Sequence, residues 1–316
     1  MTSGTGAEGV TPAGADSSEQ AHWRTSRPPS NLSQCHPSES SLPRVTICIP
    51  HWQAELFIKL CLRSIRRHSQ KYALEVIVVD NGSRDASLDY LRSLDWIRLI
   101  QRPGEKHTNW PENVFTAWDC GLAEATGEFY LTMHSDVFVR RDGWLDPLLR
   151  EIERSPQNAA SGSWKLDLEN PLYAWQKRVV GFAGAKAKSL LGLGKPVKWQ
   201  AQNYPRDYCA MYRRSVVLGH GLTFRGINNY TGGGYSIARQ LWDAGFQTPV
   251  FPVREMAQNV FHVAHGTAAI APEKRLRHAR KQRQTEHKVA RLLCSDWIQD
   301  LARDDSLDRS LSAKAA

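Results

Sequence analysis

Four short runs of β-forming residues constrain this chain most: "VTICIP" (45–50), "LEVIVVD" (74–80), "IRLIQ" (97–101) and "EFYLTM" (128–133). Helical periodicities separate them. "AELFIKLCLRSIRRHS" sets Phe57, Leu60, Cys61, Ser64 and Ile65 on one face, with Lys59, Arg63, Arg66 and Arg67 largely away from it. "NGSRDASLDYLRSL" turns into a second helix, with Ser83 or Asp85 as its N-cap. "ENVFTAWDCGLAEA" (112–125) predicts a third. Strands that are apolar on both faces and alternate with helices imply an α/β fold, with a mostly parallel, Rossmann-like sheet covered on both sides. Ligands of such sheets bind beyond the carboxyl ends of the strands. Those ends carry Pro50-His51, Asp80-Asn81 and His134-Ser135-Asp136.

The flanking segments differ. Residues 1–43 are rich in Ser, Thr, Pro, Gly and Ala and nearly lack bulky apolar residues, so a disordered tail is expected there. From Pro171 to Arg206 there are seven Lys/Arg and no acidic residue, interleaved with Tyr173, Trp175, Val180, Leu190, Leu191 and Trp199. "YCAMYRRSVV" (208–217) reads as a strand leading into a helix, and "GINNYTGGGYSIARQLWDAGF" as a Gly-rich loop entering another. "TPVFPV" (248–253) reads as a strand. Residues 273–293 are strongly helical and basic, with eight Lys/Arg against one Glu from 274 to 291. These shifts divide the chain into a tail (1–43), a ligand-binding half (44–163), a second half (164–272) containing a basic aromatic insertion (164–206), and a C-terminal basic helix and tail (273–316).

Net charge is +9 and the pI is about 9.3, which favours anionic partners. The six cysteines are scattered without a CxxC pair, the usage of a reduced compartment. No apolar run approaches the ~18 residues that span a bilayer, and no basic start followed by an apolar core marks a signal peptide. A cytoplasmic location is expected. Charge alone would admit nucleic acid, but single-strand readers stack bases on exposed sheet aromatics, whereas these strands read as buried on both faces. No nucleic-acid partner is expected.

"ICIPHW", "VDNGSRDAS" and "HSDVFV" together resemble the GT-A nucleotide-sugar glycosyltransferases of the family 2 type, over about Val45 to Thr267. The resemblance matches the family's first strand-end turn at Pro50-His51-Trp52. It matches the nucleoside-gripping turn at Asp80, Asn81, Gly82 and Ser83. A helical Ala-x-Asn-x-Gly is met loosely by Ala117, Asp119 and Gly121. The Asp-x-Asp metal motif is met by His134-Ser135-Asp136, and "GWLDPLL" follows as in the family. It implies that Pro50, His51, Asp80, Asn81, Ser83, Asp119, Ser135 and Asp136 bind a nucleotide-sugar donor. It also implies that Asp136, His134 and a later histidine, His265, hold Mn²⁺ or Mg²⁺. A diphosphate leaving group needs such charge neutralisation, and one carboxylate with phosphate oxygens and waters can suffice for Mg²⁺.

Two features depart from the family. The first Asp of the metal motif is His134. No Asp or Glu occurs between Asp207 and Asp243, where the family carries the carboxylate pair that activates the acceptor. Asp207 is the candidate substitute base. Three glycines at 232–234 leave free N–H groups that could hold an anion. Plainer roles stand beside these: a turn cap for Asp80, a helix cap or pair for Asp119, a salt bridge for Asp207, and two unrelated histidines in "HVAH" (262–265). The expected function is sugar transfer from a nucleotide sugar to a carbohydrate or lipid-linked acceptor, as in polysaccharide assembly, with peripheral contact to the inner membrane face through the basic insertion. The alternative is a catalytically inactive GT-A protein that binds a sugar nucleotide or a membrane surface.

Overall fold

The structure is a computed structural model that describes residues 44–103, 110–166, 171–193, 203–226, 232–270 and 279–309. The tail expectation for 1–43, the basic and aromatic residues at 194–202 and residues 273–278 of the expected 273–293 helix lie outside these residues.

The strand–helix alternation folds as read. β1 (Val45–His51), α1 (Glu55–His68), β2 (Leu74–Asp80), α2 (Ser87–Arg92), β3 (Arg98–Gln101), α3 (Trp110–Glu124) and β4 (Phe129–Met133) follow in order. β1 pairs in parallel with β2 and β4, and β2 with β3. Successive residues point to opposite faces, and both faces are buried. Val45, Ile47, Ile49, Val76, Val78, Phe129 and Leu131 enter one core with α1. Cys48, Ile77, Val79 and Tyr130 enter the other with Ala117, Trp118 and Leu122 of α3. Glu75 ties the strand starts together: it accepts from Thr46 Oγ1 (2.5 Å), Thr126 N (2.8 Å) and Thr126 Oγ1 (3.0 Å).

Beyond β4 come β5 (Val137–Val139), α4 (Asp146–Glu153), β6 (Ala160–Ser163), α5 (Pro171–Leu190), β7 (Cys209–Arg213), α6 (Arg214–Gly219), α7 (Gly234–Asp243), β8 (Val250–Phe251), α8 (Val253–Asn259), β9 (Val260–His262), α9 (Gly266–Ile270), α10 (Ala279–Leu293) and α11 (Asp296–Arg303). The seven-stranded sheet runs β3-β2-β1-β4-β7-β6-β8. It is mostly parallel, with β7 antiparallel to both β4 and β6. The fold is α/β of the GT-A, Rossmann-like type, with helices on both faces and a C-terminal basic helix.

Three elements differ from the sequence reading. β6 is "ASGS", with no apolar alternation to announce it. Its glycine is required because a Cβ on Gly162 would lie 2.8 Å from Cβ of Pro205. "TPVFPV" yields a strand of only two residues, because Pro252 stops it and Val253 opens α8. β5 and β9 form a separate antiparallel ribbon too short to show as a pattern, with Val137 opposite His262 and Val139 opposite Val260.

Arg63 is the clearest correction. Helical spacing sets it on the outer face of α1, yet its side chain is 0% exposed. α11 and a short 3-10 helix (Asp305–Asp308) cover it. Its guanidinium donates to both carboxylate oxygens of Asp308 (2.9 and 2.5 Å), to Asp305, and to the carbonyls of Leu301 (3.2 Å) and Ala302. The basic α10 packs through one face, burying Val289 and Leu292 in the α1-side core.

Candidate active site

Parallel pairing brings the expected residues to one edge of the sheet. His51 pairs with Asp80 at the ends of β1 and β2, and β1 lies between β2 and β4. The Asp80 and His134–Asp136 segments are therefore two strand spacings apart, about 10 Å.

On the β2 side the polar groups form a closed turn. Asp80 is buried and accepts from Gly82 N (3.1 Å), Ser83 N (3.1 Å) and Ser83 Oγ. Gly82 has φ +81°, which only glycine adopts without strain. Ser83 Oγ accepts from Gln53 N (2.8 Å), and His51 Nε2 lies 2.8 Å from Ser87 Oγ. The turn thus fastens the segment after Pro50 and His51 to the end of β2. Asn81 Oδ1 accepts from Arg102 Nη1 (2.6 Å), but its buried Nδ2 has no hydrogen-bond partner. Arg102, absent from the sequence expectations, is thereby fixed beside the turn.

On the β4 side Asp136, His134 and His262 place one ligand atom each within 4.8 Å of one another. Asp136 Oδ1 is 3.4 Å from His262 Nε2 and 3.8 Å from His134 Nδ1. Ser135 sits half-buried in the turn between the first two. The β5–β9 ribbon explains the third member. Its register sets His262 opposite Val137, next to Asp136. His265 was the expected ligand, but it lies three residues beyond in a turn, at φ 66°, exposed, with Nε2 2.9 Å from Lys281 Nζ. It stands outside the cluster.

The cluster is rigidly seated. Asp136 Oδ2 accepts from Gly266 N (3.0 Å). A side chain on Gly266 would put Cβ 2.6 Å from the Phe57 ring and 3.2 Å from Asp136 Cβ, so the residue must be glycine. Trp118 stacks on His134 (5.6 Å, 25°) and Tyr208 on His262 (4.8 Å, 13°). The Tyr208 hydroxyl is held by Ser163 Oγ (2.6 Å) and Trp164 O (3.0 Å). Trp118, Tyr208 and Gly266 carried no motif; only their neighbours in space give them a role.

Two buried atoms of the cluster have no hydrogen-bond partner: Asp136 Oδ1 and His134 Nε2. Buried polar atoms are almost always satisfied, and a nitrogen and an oxygen left open within one two-histidine, one-carboxylate cluster fit a cation. The protonation states agree. Burial pushes the His134 imidazole below its ordinary value, against the pull of Asp207 and Asp136, which favours the neutral ring. Burial pushes the Asp136 carboxyl up, but His262, His134 and the Gly266 N–H outweigh it and hold the group below its ordinary value, as carboxylate. Metal ligation needs both forms.

Asp207 Oδ2 accepts from Gly234 N (3.2 Å) where α7 begins, and its charge reaches His134. Asp119 is engaged elsewhere. It accepts from Phe224 N (2.8 Å) and Thr223 Oγ1 and lies 3.3 Å from Arg225 Nε, so it anchors the 223–225 loop to α3.

The chain is similar to known proteins. It is 27% identical over 105 residues to a putative glycosyltransferase, EpsH, of Bacillus subtilis, covering 33% of this chain and 28% of that protein. It is 23% identical over 122 residues to an uncharacterized glycosyltransferase of Haemophilus influenzae, covering 39% and 36%. These matches span about a third of the length of either relative. Among solved structures, a mannosyltransferase of Pyrobaculum calidifontis in complex with GDP-Man and Mn²⁺ is similar at 18% identity and TM-score 0.48, over 83% of this chain and 74% of that one. GalNAc-T7 with UDP, GalNAc and Mn²⁺ is similar at 14% identity and TM-score 0.47, over 71% and 44%. The family model described as "Glycosyl transferase family 2" matches residues 46–219. That is more than half of the chain, and with the strand order and the strand-end cluster above, the chain belongs to glycosyltransferase family 2.

Proposed function

We propose that this protein transfers a sugar from a nucleotide-sugar donor, held across the edge formed by Pro50, His51, Asp80, Asn81, Ser83, Ser135 and Asp136. The observation that carries the reading is the pair of partnerless buried atoms, Asp136 Oδ1 and His134 Nε2, in a two-histidine, one-carboxylate cluster at the carboxyl edge of a parallel sheet. Asp136, His134 and His262 would hold a divalent cation. Two nitrogens and one oxygen suit Mn²⁺ better than Mg²⁺, which prefers oxygen ligands in near-ideal octahedral geometry. Bound there, the ion supplies charge neutralisation for a departing diphosphate. Asn81, with its open amide, and Arg102 would orient the nucleoside end.

Asp207 is the proposed base. Its carboxylate takes the proton of the acceptor hydroxyl, the acceptor oxygen bonds to the anomeric carbon, and the bond from that carbon to the diphosphate breaks with its electron pair leaving on phosphate. The Gly234 N–H orients Asp207 for this.

The acceptor reading rests on α5 and the residues after it. Val180, Leu190, Leu191 and Leu193 are 63–81% exposed, beside exposed Lys186 and Lys188, in a segment without acidic residues. Exposed apolar residues among lysines fit an anionic lipid surface. That surface supports peripheral contact and a lipid-linked acceptor; no helix among the described residues is long and apolar enough to cross a membrane. Leu190→Glu with Leu191→Glu should abolish flotation with anionic vesicles; unchanged flotation removes this support.

A second reading, donor binding without transfer, is favoured by the acid-free stretch between Asp207 and Asp243. Thermal-shift titration with UDP, GDP and dTDP, with and without Mn²⁺, tests donor binding. Mn²⁺-dependent stabilisation that is lost in Asp136→Asn is expected. Hydrolysis of the matching sugar nucleotide then separates transfer from binding alone. If no nucleotide stabilises the protein with any divalent ion, both readings fail.

A further inference from the structure

The far end of the β5–β9 ribbon carries a second cluster, of opposite charge to Asp136. Arg140 and Arg141 follow β5, and Arg254, Ala257 and Gln258 lie on one face of α8, at i, i+3 and i+4. These five residues line an open pocket of about 460 Å³. The two elements are joined: Arg140 N donates to Asn259 O (2.9 Å), extending the ribbon ladder by one residue. Arg140 is also held in place, with its guanidinium 5.9 Å over the Trp297 ring and Nη1 3.5 Å from Ala257 O.

None of the three arginines lies within ion-pair distance of a carboxylate among the described residues, although the charge of Arg141 reaches Asp146. The acids nearest in sequence have other partners. Asp142 lies 2.8 Å from His68 Nδ1, Asp146 accepts from Lys71 (2.7 Å) and Tyr72 (2.6 Å), and Glu255 accepts from Arg150 (2.9 Å). The pocket therefore concentrates three guanidinium groups and one amide, with no acidic residue in its lining. Guanidinium forks match phosphate oxygens, and several of them on rigid elements favour a multiply charged anion. Arg140 is four residues past Asp136 along an extended strand, so this pocket lies about 13 Å from the cation cluster. The geometry points to a second binding site, lined by Arg140, Arg141, Arg254 and Gln258, for a phosphate-bearing ligand.

The site stands independently of the proposed sugar transfer, and its test avoids the cation cluster. Binding of inorganic tripolyphosphate is measured by isothermal titration calorimetry in EDTA, on the full chain. A parallel arm measures co-sedimentation with phosphatidylcholine vesicles, with and without phosphatidic acid. Arg141→Ala with Arg254→Ala, and Arg254→Glu alone, alter exposed side chains, and circular dichroism checks their folding. Saturable tripolyphosphate binding that persists in Asp136→Asn and weakens at least about tenfold in the arginine variants supports a soluble phosphate ligand. Binding only to phosphatidic acid vesicles, with the same sensitivity, supports a lipid headgroup. Binding to neither, binding that the arginine variants leave unchanged, or binding that Asp136→Asn abolishes overturns the site.

Discussion

Two clusters of buried charge, around Arg63 and around Asp136, differ in one respect. Around Arg63 the guanidinium meets two carboxylates and two carbonyls. Around Asp136 an oxygen and a histidine nitrogen remain open. A buried charge that is fully partnered fastens elements together. One that keeps open valences costs stability unless something binds there. The first cluster closes the C-terminal helix over the core; the second is built for a guest.

Breaking the closed cluster should give the largest effect. Arg63→Ala leaves Asp308 with the Tyr90 hydroxyl (2.8 Å) but no counter-charge, takes the donor from two carbonyls, and should destabilise by about 3–5 kcal/mol, read by urea unfolding. Donor affinity, measured where the variant is folded, should be unchanged.

The converse holds at the open cluster. Asp136→Asn should change stability by no more than about 1 kcal/mol. It should weaken Mn²⁺ binding by more than the roughly 10–100-fold typical of an outer-shell loss. Calorimetric titration with Mn²⁺ measures this, and an unchanged affinity would remove the cation from the site.

The histidines sharpen the same contrast. His262→Ala should cost about 10–100-fold in Mn²⁺ affinity, and His265→Ala no more than about twofold. The reverse order would show that the ribbon register does not select the ligand.

The smallest effect is at Glu75, another closed site, on the strand starts. Burial raises its carboxyl, but the Thr46 hydroxyl and the Thr126 N–H and hydroxyl outweigh burial and lower it below 4.5. The unfolded chain then binds this proton at a higher pH than the folded one. The stabilisation is complete above the unfolded value and is lost as pH falls through the folded one. Glu75→Gln should flatten that part of the acid limb in a pH series of thermal unfolding, leaving stability at pH 7 and above slightly lower.

The legibility of these regions follows from how far apart in the chain their parts lie. Asp80, Asn81 and Asp136 could be placed at strand ends because each is adjacent to its own strand, and a parallel sheet puts those ends on one edge. Asp119 was read among the donor-binding residues, because its partners at 223–225 are about a hundred residues away and leave no local sign. Arg63 was set on the solvent face because helical periodicity cannot know that residues 301–308 fold back over it.

The sequence alone determined the alternation of buried strands with helices, since apolar patterning on both faces leaves few other ways to remove those residues from water. It also determined which polar residues close the strands. Only the tertiary structure decided that His262 and not His265 stands beside Asp136, because a three-residue ribbon sets that register through long-range hydrogen bonds. It decided too that two atoms there stay open while every donor of Arg63 is engaged, since satisfaction depends on what packs around an atom and not on its place in the chain.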